Sequence, residues 1–214
     1  VDGVKVLRMS HGYYTNAGYT GGELTSPAFG LTGDKTVGFQ TRVKFSDTQY
    51  SRYFDALSST GTMNTSKIVF DSDGIVKFQN DGADNLVSTS YAYSANTWYT
   101  LNIEYNLKWE NNLLGQPTGT ETSGLHYSAS IRKDGDEAPT VLCANIIVRG
   151  GNTLYPNNVG SYNKFKVFQT ATPASGIITS LYFDYFSVYE YVETEPTTVS
   201  AVAIDSDETV CGTN

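Results

Sequence analysis

Trp109 carries the chemistry in this chain that packing explains least. It stands between Lys108 and Glu110-Asn111-Asn112, in a stretch without hydrophobic period, so an indole of roughly 200 Å² has no repeating apolar partner. Either the flat face of a ligand or a lid must cover it. Asn111, Asn112 and Gln116 follow closely, and Tyr155, Asn157 and Asn158 crowd a second stretch, GGNTLYPNNVG. Tyr13, Tyr14, Asn16 and Tyr19 crowd a third, SHGYYTNAGYTGG. Amides and phenols donate and accept hydrogen bonds without burying a net charge, and aromatic rings stack. Together they suit a ligand that is flat-faced and ringed with hydroxyls, as a sugar is. Each Asn serves equally as a turn former, and each of the 16 Tyr as an ordinary strand residue. Only several such loops gathered at one end of a fold would make a pocket.

Other chemistries have less to stand on. His11 and His126 lie far apart in the sequence and the cysteines number two, which leaves no metal-ligand spacing and no Ser-His-Asp grouping. No pair of carboxylates recurs at a spacing that would set two of them ~5–10 Å apart for acid–base glycoside hydrolysis. The reading is therefore of no catalytic residue and no cofactor. The net charge is −8 and the 14 Lys and Arg are scattered singly, which excludes tracking of a nucleic-acid backbone. No run approaches the ~20 apolar residues of a membrane-spanning helix. The first residues, VDGVKVLRMS, lack the basic and apolar regions of a signal peptide, so the chain reads as a mature or excised segment. Acidic composition, abundant Asn, Ser and Thr, and few thiols point to an extracellular, secreted or surface-attached protein. Cys143 lies in an apolar run, VLCANIIV, and Cys211 in a polar tail, DETVCGTN. Two alternatives stand: a disulfide that staples the tail, or a free thiol acting as a small buried hydrophobe.

The elements that must position these residues are strands. Helical periodicity is nearly absent, and short alternating runs recur, bounded by Gly, Asn and Asp. The alternation predicts strands near 4–10, 22–29, 35–46, 50–57, 66–71, 74–79, 86–93, 97–106, 124–134, 139–149, 161–170 and 180–192. Asp73-Gly74 and Asp134-Gly135 mark hairpins. In the strand that starts at Trp98, alternation turns Tyr99, Leu101, Ile103 and Tyr105 inward and Trp98, Thr100, Asn102 and Glu104 outward. Residues 106–123 and 150–160 are long non-strand segments of the kind that carry function. At 214 residues with 39% hydrophobic content, one all-β domain with a two-sheet core is expected over 1–192. Residues 193–214 form an acidic Thr/Pro connection and one strand-like run, VSAVAI, which either packs back or begins a following domain.

The order of elements resembles the concanavalin A-like, laminin G-like β-sandwich of lectins, carbohydrate-binding modules and some glycan-degrading enzymes. Three stretches carry the likeness: GFQTRVKFS (38–46), SANTWYTLNIEYN (94–106) and ITSLYFDYFSVYEY (178–191). The loops and tail also resemble non-catalytic modules of secreted polysaccharide-degrading assemblies of gut anaerobes, starch binders among them. The resemblance implies a two-sheet antiparallel jelly roll and treats Trp98 as a packing residue. It also implies what is missing. The hydrolases of this fold carry a Glu-x-Asp-x-x-Glu strand, absent here. Of the three lyase strands only Tyr-x-Lys has a counterpart, Tyr162 and Lys164, while His126 precedes Tyr127 rather than following a Gln. Related sandwiches hold a structural calcium near the position of Asp184; Asp71-Ser72-Asp73 is a second acidic candidate, read as a hairpin turn, and no metal is assigned to either. The expected function is that of a monomeric, non-catalytic module that holds a polysaccharide, starch ahead of xylan. The alternatives are a glycan-cleaving enzyme of the same fold and a protein-binding adhesion domain.

Overall fold

The computed structural model describes residues 7–12, 23–25, 36–58, 66–80, 85–106, 126–147, 149–150, 153–154, 164–169 and 178–191. Every regular element among them is a strand: β1 (Leu7–Gly12), β2 (Glu23–Thr25), β3 (Thr36–Phe45), β4 (Arg52–Ser58), β5 (Lys67–Phe70), β6 (Ile75–Gln79) and β7 (Leu86–Ala92). There follow β8 (Trp98–Asn106), β9 (His126–Lys133), β10 (Thr140–Ile147), β11 (Arg149–Gly150), β12 (Thr153–Leu154), β13 (Lys164–Gln169) and β14 (Ile178–Tyr191). They form two six-stranded antiparallel sheets, ordered β1-β14-β3-β8-β9-β10 and β2-β13-β4-β5-β6-β7, and a separate β11-β12 pair. The expected sandwich is thus present, and each predicted strand has its counterpart. The β11-β12 pairing, Arg149 with Leu154 and Gly150 with Thr153, enters a segment expected to be non-strand. The polar, glycine-rich run gave no alternation to betray so short a ladder. Trp109, Asn111, Asn112, Tyr13, Tyr14, Tyr19, Tyr155, Asn157, Asn158, Tyr162 and the tail with Cys211 all lie outside the described residues.

Alternation puts one face of each sheet into the core. Phe39, Val43 and Phe45 of β3, Tyr99, Leu101, Ile103 and Tyr105 of β8, and Tyr127 and Ile131 of β9 meet Phe54, Ile68, Phe70, Val76 and Val167 of the other sheet. Phe45, Phe70 and Tyr93 form a cluster with centroids 4.5–5.4 Å apart, in which Tyr93 meets both phenylalanines edge-on, the geometry that aromatic quadrupoles favour. Among the described residues Tyr93, Tyr99, Tyr105 and Tyr127 are buried, and the hydroxyl of each is satisfied, as burial demands. Tyr93 donates to the Asp71 carbonyl at 2.8 Å, Tyr99 accepts from the Ser94 N–H at 2.8 Å, Tyr105 lies 2.7 Å from Ser66 Oγ, and Tyr127 donates to the Gln79 carbonyl. Cys143 is buried, 6% exposed, and is unbonded among the described residues, while its sequence-predicted partner Cys211 lies outside them.

Both predicted hairpins form at the glycines that their geometry requires. Gly74 has φ +82° and Gly135 φ +95°, values that residues with a Cβ rarely adopt. The Gly74 N–H donates to the Asp71 carbonyl at 3.0 Å, and the Asp136 N–H to the Lys133 carbonyl at 3.0 Å.

Candidate functional site: the outer face of one sheet

Residues directly opposite one another in a ladder share a face, so the register of the β1-β14-β3-β8-β9-β10 sheet assembles its outer face in rows. The first runs Arg8, Tyr182, Lys44, Trp98. The second runs Tyr185, Arg42, Thr100, Arg132; the third Ser187, Gln40, Asn102, Ser130; the fourth Tyr189, Gly38, Glu104, Ser128. Five gaps of ~4.8 Å between six strands set the edges of this face about 24 Å apart, the reach of a short oligosaccharide.

The fourth row is built around a glycine. A Cβ on Gly38 would lie 1.9 Å from Cζ of Tyr189, so the phenol ring occupies the space a side chain would need. A strand glycine of this kind marks close approach, here by a cross-strand aromatic ring. From that seat the Tyr189 hydroxyl lies 2.8 Å from Asn102 Oδ1 and 2.9 Å from Glu104 Oε1, and the Asn102 amide donates to the same Glu104 oxygen at 3.1 Å. One phenol, one amide and one carboxylate are thereby held rigid on an outward face. Next to them the Tyr185 hydroxyl donates to Gln40 Oε1 at 3.1 Å, with Tyr185 39% exposed.

The second row is electrostatically closed. Arg42 reaches Asp134 and Asp184, each at 2.5 Å. The hydrogen bond to Asp134, with Asp184 adding to it, raises the Arg42 pKa above its ordinary value and outweighs the opposing effect of burial. Asp184 comes into reach because β14 carries a bulge between Phe183 and Tyr185. The inward Thr41 hydroxyl donates to the Tyr185 carbonyl at 2.8 Å, satisfying a backbone acceptor that the bulge frees.

The first row alternates cations with rings. Lys44 Nζ lies 4.9 Å from the Trp98 ring centroid and 5.0 Å from that of Tyr182, the Arg8 guanidinium 5.7 Å from Tyr182, and the Arg42 guanidinium 4.6 Å from Trp98. These separations are within cation–π range. Trp98 thus faces outward, as alternation predicts, and packs on the cations of the neighbouring strand rather than in the core.

The acidic candidates for calcium are engaged by cations. Arg42 holds Asp184, and Lys77 holds Asp73 at 2.7 Å and pairs with Asp71. Asp73 also accepts from the Ile75 N–H at 2.9 Å and Asp71 from the Ser72 N–H at 2.8 Å, which makes Asp71-Ser72-Asp73 the hairpin turn expected of it. Among the described residues no group of three His, Cys, Asp or Glu could hold a metal.

Sequence reasoning looked to loops and passed over this face. Two signals pointed to it: Gly38 inside an otherwise alternating strand, and the outward set Trp98, Thr100, Asn102 and Glu104, too rich in ring and amide for a plain solvent face.

No protein-family model matches the chain, and no curated protein sequence matches it. Solved structures do resemble it. A sialidase superposes with TM-score 0.50 at 10% identity over 86% of this chain, which spans 15% of the length of that one. An endo-β-1,4-glucuronan lyase from the fungus Trichoderma reesei gives TM-score 0.47 at 15% identity over 86% of this chain and 80% of that one. A tetrameric galectin from the ball sponge Cinachyrella sp. gives 0.41 at 11% identity over 79% and 99%.

Proposed function

We propose that this chain is a non-catalytic glycan-binding module of an extracellular protein, and that it lays its polysaccharide across the outer face of the β1-β14-β3-β8-β9-β10 sheet. The observation that carries the reading is the Tyr189, Asn102 and Glu104 cluster seated on Gly38 beside Tyr185 and Gln40. The core does not need it, and a preorganised ring with fixed acceptors around it is what a sugar hydroxyl pair requires. Binding without turnover agrees with the state of the carboxylates on this face. Asp134 and Asp184 are committed to Arg42, and Glu104 to Tyr189 and Asn102.

Affinity gels containing soluble starch, xylan, a cellulose derivative or pectin test the reading. At least one glycan retards the protein, and Tyr185→Ala weakens that binding at least tenfold, since loss of an aromatic anchor costs ~2 kcal/mol or more. Tyr185 is exposed, so the melting temperature barely moves. Unchanged retardation of the variant removes the site from this face. Trp109→Ala, run beside it, shows whether the loop indole adds to the same site.

One observation favours a second reading. His126 precedes Ser128 by two positions along β9, and Ser128 is opposite Glu104, so an imidazole, a carboxylate and the Tyr189 phenol share one face within a few residues. An imidazole and a phenol are a base and an acid of the kind that β-elimination on a uronate uses. Release of unsaturated products, abolished by His126→Ala or Tyr189→Phe, establishes that reading; their absence across the four glycans leaves binding alone.

A further inference from the structure

The two cationic rows are unequal. Arg42 meets two carboxylates at 2.5 Å. Lys44 and Arg8, on the same face, have no carboxylate among the described residues within ion-pair distance. Lys44 is held instead between the rings of Trp98 and Tyr182. A ring face attracts an ammonium but supplies no acceptor for its three N–H bonds. Among the described residues Arg8 gives only its Nε–H, to Ser180 Oγ at 3.1 Å, which leaves the planar fork of its terminal nitrogens for a bidentate oxyanion. All this occurs on a chain of net charge −8, where most positions for an uncompensated cation would have a carboxylate to turn to.

We infer that the Arg8, Tyr182, Lys44, Trp98 row is a subsite for the anionic group of an acidic glycan. The sugar ring stacks on Tyr182 or Trp98, and its carboxylate or sulfate is received by Lys44 and Arg8. This inference rests on the glycan-binding reading above and names the class of glycan that face would take, in place of neutral starch. Rings and cations alternate along one register row, so the stacking surface and the charge partner sit about one strand spacing, ~4.8 Å, apart. That is the offset between a pyranose ring and its exocyclic acid.

The test compares charged and neutral forms of the same polymer. The pairs are oligogalacturonate with its methyl ester for the carboxylate, and dextran sulfate with dextran for the sulfate. Calorimetric or gel-shift titrations are made on the full chain and on Lys44→Gln, Arg8→Gln and Lys133→Gln. Lys133 is exposed, pairs with inward-facing Tyr99 and so lies off the outer face; it controls for net charge. The expected result is at least tenfold tighter binding of one charged form over its neutral partner. Lys44→Gln and Arg8→Gln each remove most of that preference, Lys133→Gln changes it less than twofold, and binding of the charged form weakens with added salt. The pair that shows the preference identifies the anion as carboxylate or sulfate. Equal binding of charged and neutral forms overturns the subsite and leaves glycan binding standing. So does a preference that Lys133→Gln reduces as much as Lys44→Gln, because the effect is then diffuse charge. Binding of no polymer at all overturns the glycan-binding reading and the subsite together.

Discussion

Gly38 and Tyr189 are the pair on which the proposed site turns, and two substitutions separate their roles. Gly38→Ala puts a methyl 1.9 Å from Tyr189 Cζ, so the ring must leave its seat. The expected outcome is a lower melting temperature together with lost glycan retardation. Tyr189→Phe keeps the ring over Gly38 and removes only the hydroxyl that Asn102 and Glu104 share. Melting then stays nearly unchanged, while affinity falls about fivefold, the equivalent of one hydrogen bond of ~1 kcal/mol. Full affinity in Tyr189→Phe would make the phenol a cover for glycine and nothing more.

The strands that present this face depend on a staple in the opposite layer. Arg52 of β4 points inward and is 1% exposed. It donates to the Asp47 carbonyl at 2.9 Å, the Tyr50 carbonyl at 2.7 Å and Asp47 Oδ1 at 2.8 Å, with its guanidinium 5.6 Å from the Phe45 ring centroid. One side chain thereby closes the β3–β4 connection onto the core. Arg52→Met leaves the Asp47 carboxylate and two carbonyls short of donors, a loss of about 3 kcal/mol. For a domain of this size that lowers the melting temperature by roughly 6–12 °C. Affinity of the folded fraction for glycan is expected to be unchanged, because Arg52 lies on the far side of the core from the outer face. A melting curve that does not move would show that the connection holds without it.

Buried thiol and phenol groups set the response of the molecule as a whole to alkali. Burial pushes the Cys143 thiol up to about 12 and the Tyr93 phenol up to about 12, the latter against the opposing pull of Arg52. Burial raises Tyr127 as well. In each case the folded state holds the proton more tightly than the unfolded chain. The stability this provides is present in full below the unfolded pKa values of about 9–10 and is lost as pH rises through about 12. Urea melts at about pH 7, 9 and 11 check it: the midpoint holds between the first two and falls at the third. Cys143→Ala, which removes the lowest of the titrating groups, delays the fall. The same burial predicts that a thiol reagent at neutral pH leaves Cys143 untouched until the protein is unfolded.

What the sequence by itself determined is the class of fold. Alternation with period two shows which residues face the core, as at Tyr99, Leu101, Ile103 and Tyr105, and Asp-Gly pairs mark hairpins because only certain residues tolerate positive φ. These are local rules, and twelve strands could be read from them. The outer-face site could not. It depends on β14, from the end of the chain, lying beside β3, which places Tyr189 over Gly38 across 151 positions (189 minus 38). It depends equally on a bulge in β14 that swings Asp184 onto Arg42. Strand order and register between distant segments follow from the sum of core packing rather than from any local pattern. For that reason an outward tyrosine in one strand and a glycine in another carried no meaning until the tertiary structure set them side by side.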